Sequence, residues 1–264
     1  MNIGLALSGG AARGIAHIGV LKYLEEINVR PVRIAGTSAG SIVASFYCAG
    51  ISVDEIERIV LGLTWKDVIK LGLPRMGLIN SELLEKFVEF HIGKVTFAQL
   101  KIPLTVNAVD LISGEEVIME SGPVATAVQA SCAIPGIFTP VCLGNRLLVD
   151  GGLLNNVPVK LLHDKGVDYL IAVDINAQRP LLDDPQNIFD VLAQSFYIVQ
   201  KSRDLLSREY ADLIVEPVLG DIAFWDITRA EELMQRGYEA CRASMAAAKT
   251  AKKRNRFISW LGFR

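Results

Sequence analysis

The sequence predicts a three-layer α/β/α protein built on a mixed, mostly parallel central sheet. Three observations carry this. Short apolar runs recur at Ile3–Leu7, Val32–Ala35, Leu104–Val109, Leu147–Val149, Tyr169–Val173 and Leu213–Val215, and helix-period segments separate several of them. Glu116–Glu120 follows Ser113-Gly114 and reads as the return arm of a hairpin from the Leu104 run, which makes the sheet mixed. Of the 264 residues, 51% are hydrophobic, enough for a substantial core.

Taken in order, helical spacing is legible at Arg13–Glu26, Ser41–Ala49, Val53–Leu61, Glu82–His91, Val124–Ser131, Pro158–Lys165, Ile188–Glu209 and Arg229–Ala248. Ser52 and Glu55 form a capping-box pattern ahead of Val53–Leu61. The loosest stretches are Gly62–Ile79, rich in Gly and Leu, and Asn176–Asn187, rich in Pro, Asp and Asn. Neither is long enough to argue a domain boundary, so one catalytic-size domain is expected over 1–241. A basic tail follows at 242–264, with Arg242, Lys249, Lys252, Lys253, Arg254, Arg256 and Arg264 and no acidic residue.

The formal net charge of −2 gives no whole-chain argument for nucleic acid. Cys48, Cys132, Cys142 and Cys241 are scattered, with no C-x-x-C pair and no metal-ligand spacing to histidine, and read as reduced thiols. No metal or cofactor is expected. No apolar stretch approaches a membrane span and no leader pattern precedes the first strand, so a cytoplasmic protein is expected. The tail also carries Phe257, Ile258, Trp260, Leu261 and Phe263, a composition that suits peripheral contact with an anionic inner membrane face and equally suits a solvated terminus. Oligomeric state is not legible.

The chemistry centres on Gly36-Thr37-Ser38-Ala39-Gly40, which closes one apolar run and opens another. A serine between glycines on a strand-to-helix turn is a nucleophile elbow, its hydroxyl raised at a helix N-terminus that favours developing negative charge. The loop Ser8-Gly9-Gly10-Ala11-Ala12-Arg13-Gly14 after the first strand lacks both the Gly-Lys-Ser/Thr of a P-loop and the G-x-G-x-x-G of a dinucleotide site. The amides of Gly9, Gly10 and Ala11 could converge on an oxyanion; the same small residues would also make an ordinary tight turn.

A serine nucleophile needs a base, and the three histidines are badly placed. His17 lies inside an apolar helix, and His91 and His163 near helix ends read as surface residues. A Ser38–Asp150–His163 triad is conceivable, but His163 follows Asp150 closely and sits on a helix. Asp150, at the end of Leu147-Leu148-Val149 and followed by Gly151-Gly152, is the better candidate if partly desolvated; otherwise it is a strand-end aspartate capping a turn.

With these segments in this order, the chain resembles the patatin-like phospholipases. Ala130-Ser131-Cys132-Ala133-Ile134-Pro135-Gly136-Ile137-Phe138 looks like the family's A-S-x-A-x-P-x-x-F segment, and Asp150-Gly151-Gly152-Leu153-Leu154-Asn155-Asn156-Val157-Pro158 like its D-G-G-x-x-x-N-x-P segment. The resemblance covers roughly the first 175 residues and extends to small bacterial members grouped with neuropathy-target-esterase-like proteins. It implies a Ser38–Asp150 dyad without histidine, an oxyanion hole from Gly9, Gly10 and Ala11, and acyl-ester hydrolysis through an acyl-serine. Gly14, Gly36, Gly40, Gly151 and Gly152 support the motifs, while Arg13 supports the oxyanion loop or meets substrate phosphate. The implied partner is a lipid or other carboxylic ester and needs no metal. An acyltransferase using the same dyad and a non-catalytic regulatory protein keeping the fold are the alternatives. Gly62–Ile79 and Ile222–Ile227 either cover an acyl groove or pack on the core.

Overall fold

The strand residues alternate between two buried faces of unequal thickness. The computed structural model describes residues 1–250 apart from 69, 72–75, 164, 179 and 182. The aromatic and most of the basic residues of the expected tail lie outside the described residues. The chain begins with β1 (Ile3–Leu7), α1 (Ala16–Glu26), β2 (Arg33–Gly36), α2 (Ala39–Ala49), α3 (Val53–Leu61), α4 (Trp65–Val68), β3 (Lys70–Leu71), β4 (Gly77–Asn80) and α5 (Glu82–Ile92). It continues with β5 (Leu104–Asp110), β6 (Glu116–Met119), α6 (Val124–Ser131), β7 (Gly136–Phe138), β8 (Val141–Leu143) and β9 (Arg146–Asp150). It closes with α7 (Lys160–His163), β10 (Tyr169–Val173), α8 (Ile188–Arg208), β11 (Leu213–Val215) and α9 (Ala230–Thr250).

Hydrogen-bonded neighbours in the main sheet run β11, β10, β1, β2, β5, β9, β8, with β6 also on β5. The first five are parallel, β6 and β9 pair antiparallel with β5, and β8 pairs antiparallel with β9, so the sheet is mixed as expected. Leu5, Leu7, Ile34, Ile171 and Val173 face the larger core, covered by α1, α2, α6 and α9. Ala6, Ala35, Leu170 and Ala172 face a thinner layer formed by Val157, Val159 and Leu162 of the α7 region. Small residues on that side let a short segment cover the sheet. This gives the three layers.

The edges of β5 position the site. Alternate residues of a strand direct their amides and carbonyls to opposite edges. Ile34 N–H donates to Pro103 O and Leu111 N–H to Leu147 O, whereas Asp110 N–H donates to Glu115 O. β6 therefore takes one edge of β5, and β2 and β9 share the other. They approach along it head to head, Gly36 in register with Val106 and Asp150 with Ala108.

Several expectations need correction. The helix expected over Pro158–Lys165 is only Lys160–His163, and it buries Leu162. The loose stretch Gly62–Ile79 contributes α4 and two strands, with β3, β4 and β7 forming a second sheet. The boundary at 241/242 falls within α9, which buries Cys241 and Met245 in the main core. α9 docks on α1 with backbones in contact: a Cβ on Gly237 would stand 1.9 Å from Ala16 O, and one on Gly19 1.8 Å from Met234 O.

Gly237→Ala should therefore cost about 2 kcal/mol or more by overpacking. The expected readout is a lower urea midpoint at unchanged slope. An unchanged midpoint would contradict the docking of α9.

Candidate active site

β2 ends at Gly36 and α2 starts at Ala39, leaving Thr37 and Ser38 to make the turn. Ser38 takes φ 49° and ψ −126°, a conformation that costs a residue with a side chain of order 1–3 kcal/mol. Neighbours hold it there. Ser38 N–H donates to Ser131 Oγ at 2.8 Å, Ser41 Oγ donates to Ser38 O at 2.6 Å, and Thr37 Oγ1 donates to Asn107 Oδ1 at 2.7 Å. The flanking glycines are steric requirements: a Cβ on Gly40 would stand 2.3 Å from Leu7 O, and one on Gly36 2.7 Å from Ser41 Cα. The turn thus presents Ser38 as the N-cap of α2, buried to 6% exposure.

The first loop folds over this elbow. Gly14 lies against it, where a Cβ would come within 2.5 Å of Ala39 Cβ. Ala11 has φ 47°, a second strained non-glycine beside the first. The expectation of three oxyanion donors needs correction: Gly9 N–H is committed to Asn156 O at 3.2 Å, and Gly9 O accepts from Asn176 Nδ2 at 3.0 Å. Clamped on both sides, the Gly9 residue orients the Gly10 and Ala11 peptides. Gly10 and Ala11 N–H donate to no acceptor among the described residues. Arg13 is held by the protein's own backbone. It is 4% exposed, and its Nε and Nη2 donate to Ile222 O at 3.0 and 2.6 Å, tying the loop to the segment before α9.

Asp150 closes the site from β9. Its Oδ1 accepts Gly152 N–H at 2.8 Å, the turn-capping contact expected of a strand-end aspartate. Its Oδ2 is buried without a partner of ordinary hydrogen-bond geometry. Burial pushes the carboxyl up to about 7, opposed by the nearby Ser38 hydroxyl and by Gly152 N–H. Ser38 and Asp150 are thus neighbours with no hydrogen bond of ordinary geometry formed between them. Gly151 packs on Asn107, whose carbonyl oxygen a Cβ would meet at 2.5 Å, and a Cβ on Gly152 would stand 2.4 Å from Gln200 Nε2.

The histidines are elsewhere. His17 is wholly buried, hydrogen-bonded to Ser8 O at 2.8 Å and held neutral, its pKa lowered to about 4 by burial. His91 is half-buried rather than on the surface, because it packs against Phe46, Phe87 and Phe90. His163 is exposed and edge-on to Tyr210 across the thin layer. The Ser38–Asp150–His163 triad is not assembled.

Sequence reading missed three contributors. Asn107, fully buried on β5, accepts from Thr37 Oγ1 and donates to Asn155 O at 3.0 Å and Gly151 O at 3.4 Å, joining the elbow to the Asp150 turn. One asparagine inside the apolar run Leu104–Val109 was the available signal. Cys132 lies beside the pair: its thiol responds to both Ser38 and Asp150, and burial pushes it far up, keeping it protonated. Asn176 lies beyond the motifs and gave no signal.

Ser38 opens on a cavity of about 130 Å³ lined almost wholly by apolar side chains. The segments expected to cover a groove do line it, through Leu63, Trp65 and Val68 on one side and Trp225 and Ile227 on the other. Trp65 Nε1 donates to Trp225 O at 3.0 Å, which pins the two together. Residues 69 and 72–75 of the first segment lie outside the described residues. Among the described residues, no helix is long and apolar enough to cross a membrane.

The patatin-like phospholipase profile matches residues 5–163. An NTE family protein of Mycobacterium bovis is 37% identical over 191 residues, covering 70% of this chain and 53% of its own. A lysophospholipase of Debaryomyces hansenii is 30% identical over 215 residues, covering 78% of this chain and 14% of its own. The chain thus spans about half the length of the mycobacterial relative it matches. Among solved structures, VipD from Legionella pneumophila superposes with a TM-score of 0.65 at 14% identity, over 93% of this chain and 66% of its own. That likeness concerns the fold.

The raised pKa of Asp150 has a thermodynamic consequence. A carboxyl whose native pKa of about 7 stands above its ordinary value of 3.8 leaves stability intact below pH 4 and withdraws it progressively as pH rises to about 7. Asp150→Asn removes that loss while keeping an acceptor for Gly152. The variant should gain on wild type by about 2 kcal/mol between pH 5 and pH 8. Urea unfolding at the two pH values reads this, and a difference independent of pH would contradict it.

Proposed function

Because the chain belongs to the patatin-like phospholipase family, we propose that it is a serine lipid acyl hydrolase of the phospholipase A or lysophospholipase type. It works through a Ser38–Asp150 dyad and an acyl-serine intermediate. The observation that carries this reading is the pairing of the strained Ser38 with a buried Asp150 at the head of an apolar cavity.

Ionised Asp150 takes the Ser38 proton as Oγ attacks the ester carbonyl. A base with a pKa of about 7 suits that transfer near neutrality far better than an exposed aspartate at 3.8. The carbonyl oxygen becomes an anion and receives the Gly10 and Ala11 N–H groups, aided by the positive end of α2. Collapse expels the alcohol, which carries off the proton from Asp150. Water then attacks the acyl-serine, again deprotonated by Asp150, and the carboxylic acid leaves as Ser38 regains its proton. Cys132, protonated beside the pair, supplies no competing thiolate. Asn107 and Asn176 act as positioning residues, one between the two halves of the dyad and the other behind the oxyanion loop.

Ser38→Ala should reduce turnover across a panel of lysophospholipid, phospholipid and chromogenic esters by at least about 10³-fold. His163→Ala should stay within about threefold of wild type, since nothing in the mechanism uses it. Full activity in the serine variant would sink the assignment, and a hundred-fold loss in the histidine variant would restore the triad.

A further inference from the structure

One face of α2 sets the depth of the cavity. Ser38, Ile42 and Phe46 follow at four-residue intervals, so they stack along the helix, and all three line the cavity. Phe46 is 1% exposed, and its ring packs 6.0 Å from that of Phe87 and 5.6 Å from that of His91, which are themselves 4.7 Å apart. Phe46 and Phe87 of this cluster line the cavity, about two turns of α2 beyond the nucleophile. The sides are filled by Ile56 and Val60 of α3 and Leu84 of α5.

Length and volume bound the acyl chain that fits. Eight residues of helix place Phe46 about 12 Å from Ser38. Three bonds of extended chain span about 3.6 Å, or roughly 1.2 Å per carbon, so about ten carbons reach the cluster. The volume gives a smaller figure: about 130 Å³ is slightly less than the roughly 150 Å³ of an apolar cavity that holds benzene, which has six carbons. We propose that the site takes short-to-medium acyl chains of about six to ten carbons and that Phe46 sets the upper limit. The proposal rests on the hydrolase reading above and gives its substrate class. The cavity beyond Ser38 offers an acyl chain almost no polar partner, so length is the property of that chain it can select.

The test is a series of chromogenic p-nitrophenyl esters from acetate to palmitate, each below its micelle threshold and without detergent. Wild type should show its maximum kcat/KM between hexanoate and decanoate and fall at least about tenfold by palmitate. Phe46→Leu, which keeps the core apolar, should move the maximum at least two carbons longer. Ile42→Phe narrows the cavity about 6 Å from Ser38 and should move it to about four carbons. Either shift also answers for a loss of folding in the other variant. A wild-type maximum at acetate or at palmitate, a flat series, or an order unchanged in both folded variants overturns the length limit and leaves the hydrolase reading standing. A folded wild type that turns over no ester overturns both.

Discussion

Two strand ends meet along a single edge of β5, and the site depends on that meeting. In a wholly parallel sheet every strand delivers its carboxyl end to the same rim, side by side with its neighbours. Here β9 is antiparallel and lies on the same edge as β2, so its carboxyl end comes toward that of β2 along the line of the sheet. A single residue of β5, Asn107, separates the register of Gly36 from that of Asp150. Strand pairing thereby fixes the distance between the β2 end that leads into Ser38 and the β9 end that carries Asp150, which is more exact than placement by long loops. Asn107 fills the gap and bonds to both sides.

The same arrangement burdens the native state. Ser38 and Ala11 are held at positive φ, and a carboxyl is buried with one oxygen lacking a well-formed partner. Each is unfavourable alone and persists because rigid surroundings over-determine it. The main core supplies that rigidity through α1, α2 and α9 packed on the parallel strands. Under the proposed mechanism, burial of Asp150 is what lets a Ser38–Asp150 dyad work without histidine. A carboxylate in water is too weak a base for a hydroxyl, whereas one whose pKa burial lifts to about 7 is poised for proton transfer.

Much of this was legible in the sequence because it rests on local rules. The elbow follows from small residues between two apolar runs, and Asp150-Gly151-Gly152 from an acid closing a buried strand. The parts that were not legible depend on residues distant in the chain. Gly9 is removed as an oxyanion donor by Asn156 and turned by Asn176, and no local pattern announces either bond. Arg13 has the look of a phosphate ligand in the sequence, but the carbonyl of Ile222 takes its guanidinium. β7 and β8, three residues each, are strands only because partners stand beside them. The helical spacing of Arg229–Ala248 already crosses the expected boundary at 241/242, whereas the burial of Met245 in the main core is not visible in the composition of a basic tail.

With the dyad as proposed, Ser38 is reactive only when the buried Asp150 is ionised, and the rate of covalent labelling by a fluorophosphonate probe measures that directly. Peptide mass analysis locates the adduct, and the rate constant is followed from pH 5 to pH 9. The expected result is an adduct on Ser38 whose rate rises with a midpoint near 7, matching the pKa of about 7 for Asp150, and an Asp150→Asn variant in which the rise is gone. An adduct on another residue, or a rise of the same midpoint surviving in Asp150→Asn, would contradict it.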